Sequence, residues 1–270
     1  MSDVSAQAEE PLPAVRKPLT RQWWLYLILL FLFFLPSYST LPLDPARTNE
    51  LVLEVLSNPI AYSVPTIFPL FKLFPLILIL WLVIHPNHVI SRLFYGWAGV
   101  NLLLVAIFQD MATTPTYGFA VLVGNVVVLG VTAILWIIAS FKKIGSELSL
   151  KQRLPGWRYW VVPFALLAFW YPVNTAGGTP VPNFAATGII ANEAGLTFCM
   201  MLAVYLAVLT LAFPRVDLTD MRISGFVGFV VGLLNVVQFL TSPAYGLWMA
   251  VLHLPLVLIS LFAFILSLRR

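Results

Sequence analysis

Long, almost uninterrupted apolar stretches alternate along the chain with short polar segments. An α-helix needs about 20 largely apolar residues to cross the roughly 30 Å hydrocarbon core of a bilayer. Eight stretches approach this length and predict an all-α integral membrane protein with eight transmembrane helices. The predicted helices cover residues 22–37, 66–84, 89–109, 117–140, 157–171, 194–213, 223–241 and 245–267. The first and fifth are short, but Trp or Tyr residues at their ends suit the headgroup interface.

The composition is that of a membrane protein. Hydrophobic residues make up 60% of the 270 residues, charged residues only 10%, and the mean hydropathy is +0.94. A soluble domain is about half apolar and about a quarter charged. The composition therefore excludes a soluble enzyme, a disordered chain and a nucleic-acid-binding protein, despite a pI near 9.3. The single cysteine excludes a disulfide framework and a multi-cysteine metal site built by this chain alone.

Basic residues are concentrated on one side of the predicted membrane. With the N-terminus inside, the inner segments hold 13 of the 15 Lys and Arg residues. They are Arg16, Lys17, Arg21, Arg92, Lys142, Lys143, Lys151, Arg153, Arg158, Arg215, Arg222, Arg269 and Arg270. The positive-inside rule then predicts cytoplasmic termini in a plasma or inner cell membrane. Anionic headgroups on the cytoplasmic side are the expected partners of these charges.

A cleaved signal peptide is the alternative interpretation of the first apolar stretch, because basic residues precede it and small residues follow it. Its removal would leave seven spans and destroy the charge pattern. We therefore predict that this helix is retained.

Similar residues recur in the two halves of the chain at nearly constant offsets. Pro-x-Tyr-Gly occurs at 115–118 and at 243–246, where we expect tight turns whose Tyr side chains anchor at the membrane interface. Further pairs in the same order are Trp24 and Trp160, Pro36 and Pro172, Pro86 and Pro214, Gly96 and Gly225, and Gln109 and Gln238. The pattern predicts two parallel four-helix repeats, at 22–140 and 157–270, related by a pseudo-twofold axis along the membrane normal. A cytoplasmic tail (1–21) precedes them, and a basic cytoplasmic linker (141–156) joins them.

Polar side chains inside the predicted helices are the strongest functional signal in the sequence. They fall in the outer half or near the midplane, whereas the inner halves are almost entirely Leu, Ile, Val and Phe. The candidates are Lys72, Asn101, Asn125, Asn235, Gln238 and His253, with Asp110 and Glu193 at the outer mouth. Such residues are costly in lipid unless they face protein or water. Two interpretations stay open: hydrogen bonds that hold helices together, and a polar cavity that opens outward.

Lys72 is the one charged residue inside a predicted helix that does not lie near its inner end. Its long side chain could extend to the outer headgroups. Alternatively, it could contact a ligand in the cavity. Glu193 or Asp110 would then be its natural counter-ion.

No cofactor and no metal site are expected. His85 and His88 lie at the inner end of the second predicted helix, and His253 lies in the outer half of the eighth. A membrane haem needs two ligands that reach one iron from facing sides, and these histidines lie at different levels. Cys199 is expected to be a buried apolar residue.

Three functions fit these observations. The first is a small transporter or permease, in which the six candidates inside the helices line a site for a small polar or weakly anionic ligand that Lys72 contacts, with Asp110 and Glu193 at its mouth. The second is a non-catalytic subunit or sensor that binds the helices of other membrane proteins. The third is a membrane enzyme that uses Glu193, Asp110 or His253 as an acid or base at its outer face.

Overall fold

The computed structural model describes residues 18–142, 148, 150, 156–174, 180–241 and 247–269, and most of them are helical. The α-helices are α1 (Trp23–Leu32), α2 (Thr48–Ser57), α3 (Phe68–Ile84), α4 (His88–Phe108), α5 (Val123–Phe141), α6 (Val161–Trp170), α7 (Phe198–Ala212), α8 (Leu218–Thr241) and α9 (Leu247–Leu268). The strands are β1 (Tyr38–Ser39), β2 (Met111–Thr114), β3 (Gly118–Val121), β4 (Val173–Asn174) and β5 (Val181–Pro182). Short 3-10 helices lie at Leu19–Arg21, Pro45–Arg47, Ile60–Tyr62, Pro65–Ile67, Gly156–Arg158, Ala186–Ile189 and Glu193–Leu196.

Among the described residues, five helices are long and apolar enough to cross a membrane. They are α3 with the turn before it, α4, α5, α8 and α9, each of 19 to 24 residues. A sixth candidate is the pair Ala186–Leu196 and Phe198–Ala212, which is bent by 100° at its break. These helices confirm the prediction of a helical membrane protein. The count of eight spans stays a prediction, because α1 and α6 have only 10 residues each.

The helices run alternately between two ends of the molecule, which we name by their connections. The hairpin end carries β2 and β3, which join α4 to α5, and the tail end carries the turn at His85 between α3 and α4. Gln109, just after α4, contacts the first residue of α7 at the hairpin end. Lys142, just after α5, pairs with Asp217, just before α8, at the tail end. Helices α4 and α8 therefore run towards the hairpin end, and α5 and α7 run back.

Two helix boundaries differ from the sequence-based prediction. Helix α5 begins at Val123 rather than at 117, because Gly118–Val121 pair as strand β3. Helix α8 begins five residues before 223, because Asp217 Oδ1 accepts hydrogen bonds from the backbone N–H groups that follow it and caps the helix. The earlier start brings Asp220 and Arg222, both buried, into the tail half of α8. The prediction of almost purely apolar inner halves is therefore wrong.

Helices α1 and α6 are shorter than the segments 22–37 and 157–171 that the sequence predicts. Prolines 36 and 172 follow their ends, and a residue that precedes proline is disfavoured in helical conformation. Tyr171, which precedes Pro172, adopts a left-handed conformation with φ 46° and ends α6.

Helix α2 and a small sheet form a separate hydrophobic cluster at the hairpin end. Strand β3 pairs antiparallel with both β1 and β2, and Leu51 and Val55 of α2 pack in one cluster with Tyr117. Tyr117 is only 2% exposed, so its predicted role as an interface anchor is wrong. Gly118 has φ +66°, which favours glycine in this turn. The predicted counterpart of the turn at 243–246 lies outside the described residues.

Helix α7 is the central helix, and 14 of its 15 residues are buried. It contacts α4, α6, α8 and α9, while the most extensive helix pairs are α4 with α5 and α8 with α9. Glycines allow backbones to approach closely in both pairs. A Cβ atom on Gly99 would lie 2.7 Å from the Ile137 backbone nitrogen, and one on Gly225 would lie 2.8 Å from the Phe264 backbone nitrogen.

Candidate functional site

A cavity of about 80 Å³ opens at the hairpin end between α2, α4, α7, α8 and α9. A buried water needs about 10–15 Å³ of such space, so the cavity has room for several waters or a small solute. Its described lining is Leu53, Leu56, Ser57, Tyr62, Gln109, Tyr171, Pro180, Thr197, Cys199, Asn235, Gln238, Phe239, Met249 and His253. Three of the predicted site residues, Asn235, Gln238 and His253, are therefore brought together here.

Gln109 connects the cavity to the start of α7. Its Oε1 accepts a hydrogen bond of 2.9 Å from the backbone N–H of Phe198, the first residue of α7. An N–H group can only donate, so this bond fixes the orientation of the Gln109 amide. The side chain is 8% exposed, and its Nε2 group has no hydrogen-bond partner among the described residues.

His253 lies on the wall that α9 contributes and is only 5% exposed. Its Nδ1 is 2.8 Å from the carbonyl oxygen of Met249, and its ring stacks on Phe239 with the ring centroids 4.8 Å apart. Because a carbonyl only accepts, Nδ1 carries the hydrogen of this bond. In the neutral imidazole, Nε2 is then a hydrogen-bond acceptor.

Helix α8 contributes two amide side chains to the same wall. Asn235 donates through Nδ2 to the Sγ atom of Cys199, at 3.0 Å. Gln238 lies one turn nearer the hairpin end and is partly buried. The expectation that Cys199 is simply a buried apolar residue is thus incomplete, because Cys199 lines the cavity and its sulfur accepts a hydrogen bond.

Lys72 lies outside the cavity lining. It is completely buried, so its side chain does not reach the headgroups from this position. Its Nζ donates to the carbonyl oxygen of Phe169 and lies 4.4 Å from the centroid of the Phe169 ring. The Glu193 carboxylate acts on Lys72 electrostatically, and its role as a counter-ion stays a prediction. Lys72 thus connects α3 to the end of α6 and to the 3-10 helix before α7.

Asn101 also makes contacts between helices. Its Nδ2 donates to the carbonyl oxygen of Gly195 at 2.9 Å, and its Oδ1 accepts from the Tyr205 hydroxyl at 2.9 Å. Both ends of this fully buried amide are therefore satisfied by protein. This geometry matches the interpretation of buried amides as helix-packing contacts.

Asp110, which is buried just before β2, contacts the partly buried Asn125 in the first turn of α5. Asn125 Nδ2 donates to Asp110 Oδ1 at 2.8 Å, while Asp110 Oδ2 is buried with no hydrogen-bond partner among the described residues. Burial raises the pKa of the Asp110 carboxyl to about 7, and the hydrogen bond from Asn125 opposes this shift. Glu193 is buried in the 3-10 helix Glu193–Leu196, next to the break before α7.

The raised pKa of Asp110 predicts a pH dependence of stability. Between the unfolded pKa, about 3.9, and the folded value, about 7, the folded state binds more protons than the unfolded state. Stability should therefore fall as pH rises through this interval and level off above pH 7. We expect Asp110→Asn to remove most of this fall in thermal unfolding curves recorded in detergent from pH 5 to 8. Asp44→Asn, at an exposed loop position, is the control, and identical pH profiles for the wild type and Asp110→Asn would contradict the assignment.

Other polar residues near the cavity carry no clear signal in the sequence. Tyr62 lies in a loop outside every predicted helix, yet its hydroxyl is 2.8 Å from Thr197 Oγ1 at the start of α7. Burial raises the pKa of Tyr62 far above its ordinary value. Within the described residues, no group of three His, Cys, Asp or Glu side chains is placed to hold a metal ion.

Comparisons with known proteins found no protein similar to this chain. No protein-family model, curated protein or solved structure matches the chain.

Proposed function

We propose that this chain is a small polytopic membrane transporter or permease, and that the hairpin-end cavity is its solute site. The observation that carries the proposal is the lining. Three side chains that are costly to bury in lipid, Asn235, Gln238 and His253, border one cavity together with Gln109. Helix packing alone does not require hydrogen-bonding groups from several helices to face the same cavity.

The broken segment before α7 supports the same proposal. Transporter sites are typically formed where a membrane helix is interrupted and a half-helix begins. Here Ala186–Leu196 is bent by 100° from Phe198–Ala212, and Thr197 and Cys199 at the break line the cavity. The site would thus lie where the backbone of a central helix is irregular.

The glycine contacts support the proposed duplication. Gly96 and Gly225 pair in the sequence at an offset of 129, and Gly99 and Gly228 share that offset. Gly96 and Gly99 face α5, while Gly225 and Gly228 face α9. In this proposal, α4 with α5 and α8 with α9 are equivalent pairs in two parallel four-helix units, and both units contribute to the cavity.

We further propose that the tail end faces the cytoplasm, where its basic residues would meet anionic headgroups. Reporter fusions after residues 145 and 270 test this orientation. Cytoplasmic activity is expected for both fusions, because an even number of spans separates these positions from each other. Opposite locations for the two reporters would contradict the eight-span arrangement.

Transport itself is tested by uptake into liposomes that contain the purified protein. We expect at least one of glycerol, lactate and choline to enter faster than into protein-free liposomes. Gln238→Trp should block this uptake by filling the cavity. Val237→Trp is the matched control, because Val237 is at the same depth of α8 but is 50% exposed on the apolar surface. Uptake no faster than in protein-free liposomes would contradict transport, and solute binding without uptake would favour the sensor function.

A further inference from the structure

We propose that the cavity selects an uncharged polar solute that both donates and accepts hydrogen bonds, such as a small amide or polyol. The inference rests on the proposed function and specifies its substrate class. It departs from the expectation of an anionic ligand held by Lys72, because Lys72 contacts Phe169 instead.

The described part of the lining carries no charged side chain to pair with an ion. Among the described lining residues there is no Lys, Arg, Asp or Glu. Lys72, Asp110 and Glu193 are buried nearby but do not border the cavity. An ion that entered would lose hydration without meeting a counter-charge on the described lining, which is far costlier than burying a neutral polar group that finds hydrogen-bond partners.

The start of α7 is not available to an anion either. Helix N-termini attract anions through free backbone N–H groups. Here Gln109 Oε1 already accepts from the Phe198 N–H, and the N–H groups of Met200 and Met201 bond to the Thr197 carbonyl. The positive end of the helix is therefore capped by protein.

The lining does offer both kinds of hydrogen-bonding group. Gln109 keeps its Nε2 hydrogens as donors because its Oε1 is occupied by Phe198. His253 keeps Nε2 as an acceptor because Nδ1 donates to Met249. Neither atom has a partner among the described residues, and both side chains are more than nine-tenths buried. A solute that bridges them must accept at one atom and donate at another.

The other polar lining residues add further uncharged hydrogen-bonding groups. Asn235 donates to Cys199 through Nδ2, which leaves its Oδ1 as an acceptor. The amide of Gln238 can both donate and accept a hydrogen bond. Leu53 and Leu56 of α2 form an apolar wall. The cavity therefore suits a small solute with one polar edge and one apolar edge.

Three probes of nearly identical shape and different charge test the inference: acetamide, acetate and acetamidinium. Each carries one methyl group, so saturation-transfer NMR can report the binding of each probe to protein in zwitterionic lipid nanodiscs. We expect a signal for acetamide that is lost in Gln238→Trp, and no such Gln238-dependent signal for acetate or acetamidinium. Binding of either ion as tightly as acetamide would overturn the inference and leave the cavity of the proposed function in place. If no probe gave a Gln238-dependent signal, the result would overturn both the inference and the proposed solute site.

Variants at His253 test whether its Nε2 atom accepts a hydrogen bond from the solute. His253→Leu should weaken acetamide binding about tenfold, since it removes one hydrogen bond from a buried site. His253→Gln, which restores an acceptor, should recover part of the affinity, and His88→Leu at the tail end should change nothing. If the leucine variant fails to fold, the ¹⁵N resonance of His253 Nε2 in the wild type gives the same test, because a solute that donates to Nε2 shifts it. An unchanged resonance at saturating acetamide would overturn the assigned contact.

Discussion

Lys72→Met is expected to lower the free energy of unfolding by about 2–3 kcal/mol, because it leaves the buried Phe169 carbonyl without its charged hydrogen-bond donor. The change takes a donor from the Phe169 carbonyl and a positive charge from the neighbourhood of Glu193. For a chain of this size, the melting temperature should fall by about 5–10 °C. Thermal unfolding followed by fluorescence-detected size-exclusion chromatography measures this shift.

A variant at Glu193, whose carboxylate acts electrostatically on Lys72, tests how much of this loss is due to charge. Glu193→Gln alone should also destabilise the protein, and the double variant should lose less stability than the sum of the two single losses. Leu73→Met, at a partly exposed position on the same helix, should have little effect. An unchanged or higher melting temperature for Lys72→Met would instead indicate that the ammonium group is an expensive charge without a structural partner.

Gly225→Ala and Gly99→Ala are expected to destabilise the protein by about 2–3 kcal/mol each, because the added methyl groups overpack closely spaced helices. The new Cβ on Gly225 would lie 2.8 Å from the Phe264 nitrogen and 3.0 Å from the Ser260 oxygen. The new Cβ on Gly99 would lie 2.7 Å from the Ile137 nitrogen. Backbone atoms cannot rotate away, so each helix pair must separate.

Gly130 provides the matched control for these substitutions. It lies in α5, and apart from its chain neighbours and the nearby backbone of its own helix, no atom lies within 4 Å of an added Cβ. Because alanine favours helix over glycine by about 1 kcal/mol, Gly130→Ala should raise the melting temperature, while the other two substitutions lower it. If all three substitutions had the same sign, close helix packing would not be the reason for the glycines in α4 and α8.

The positions of the long helices could be predicted from the sequence, because each is a continuous apolar run that only burial or lipid can accommodate. Helix ends were less predictable. Turn chemistry decides them, as when the Asp217 carboxylate caps α8. The hairpin after α4 was missed because its strand Gly118–Val121 is apolar and merges with the helix that follows it.

The candidate site was only partly predictable for a related reason. Membrane depth can be read from the sequence, but the direction in which a side chain points around the helix axis depends on its neighbours. Asn101 and Asn235 are both amides in the interior, yet Asn101 bonds to Gly195 and Tyr205 whereas Asn235 borders the cavity. Tyr62 belongs to a loop whose position depends on the whole fold.

Sided labelling of an introduced cysteine tests the central claim, a polar cavity that opens at the non-cytoplasmic face. Gln238→Cys and Val237→Cys are each made in a Cys199→Ser background, which removes the single native thiol. A membrane-impermeant cationic methanethiosulfonate is then added outside intact cells. We expect rapid labelling at 238, where water permits the reactive thiolate to form, and none at the lipid-facing position 237. No labelling at 238, or labelling at 238 only after the cells are permeabilised, would contradict the account.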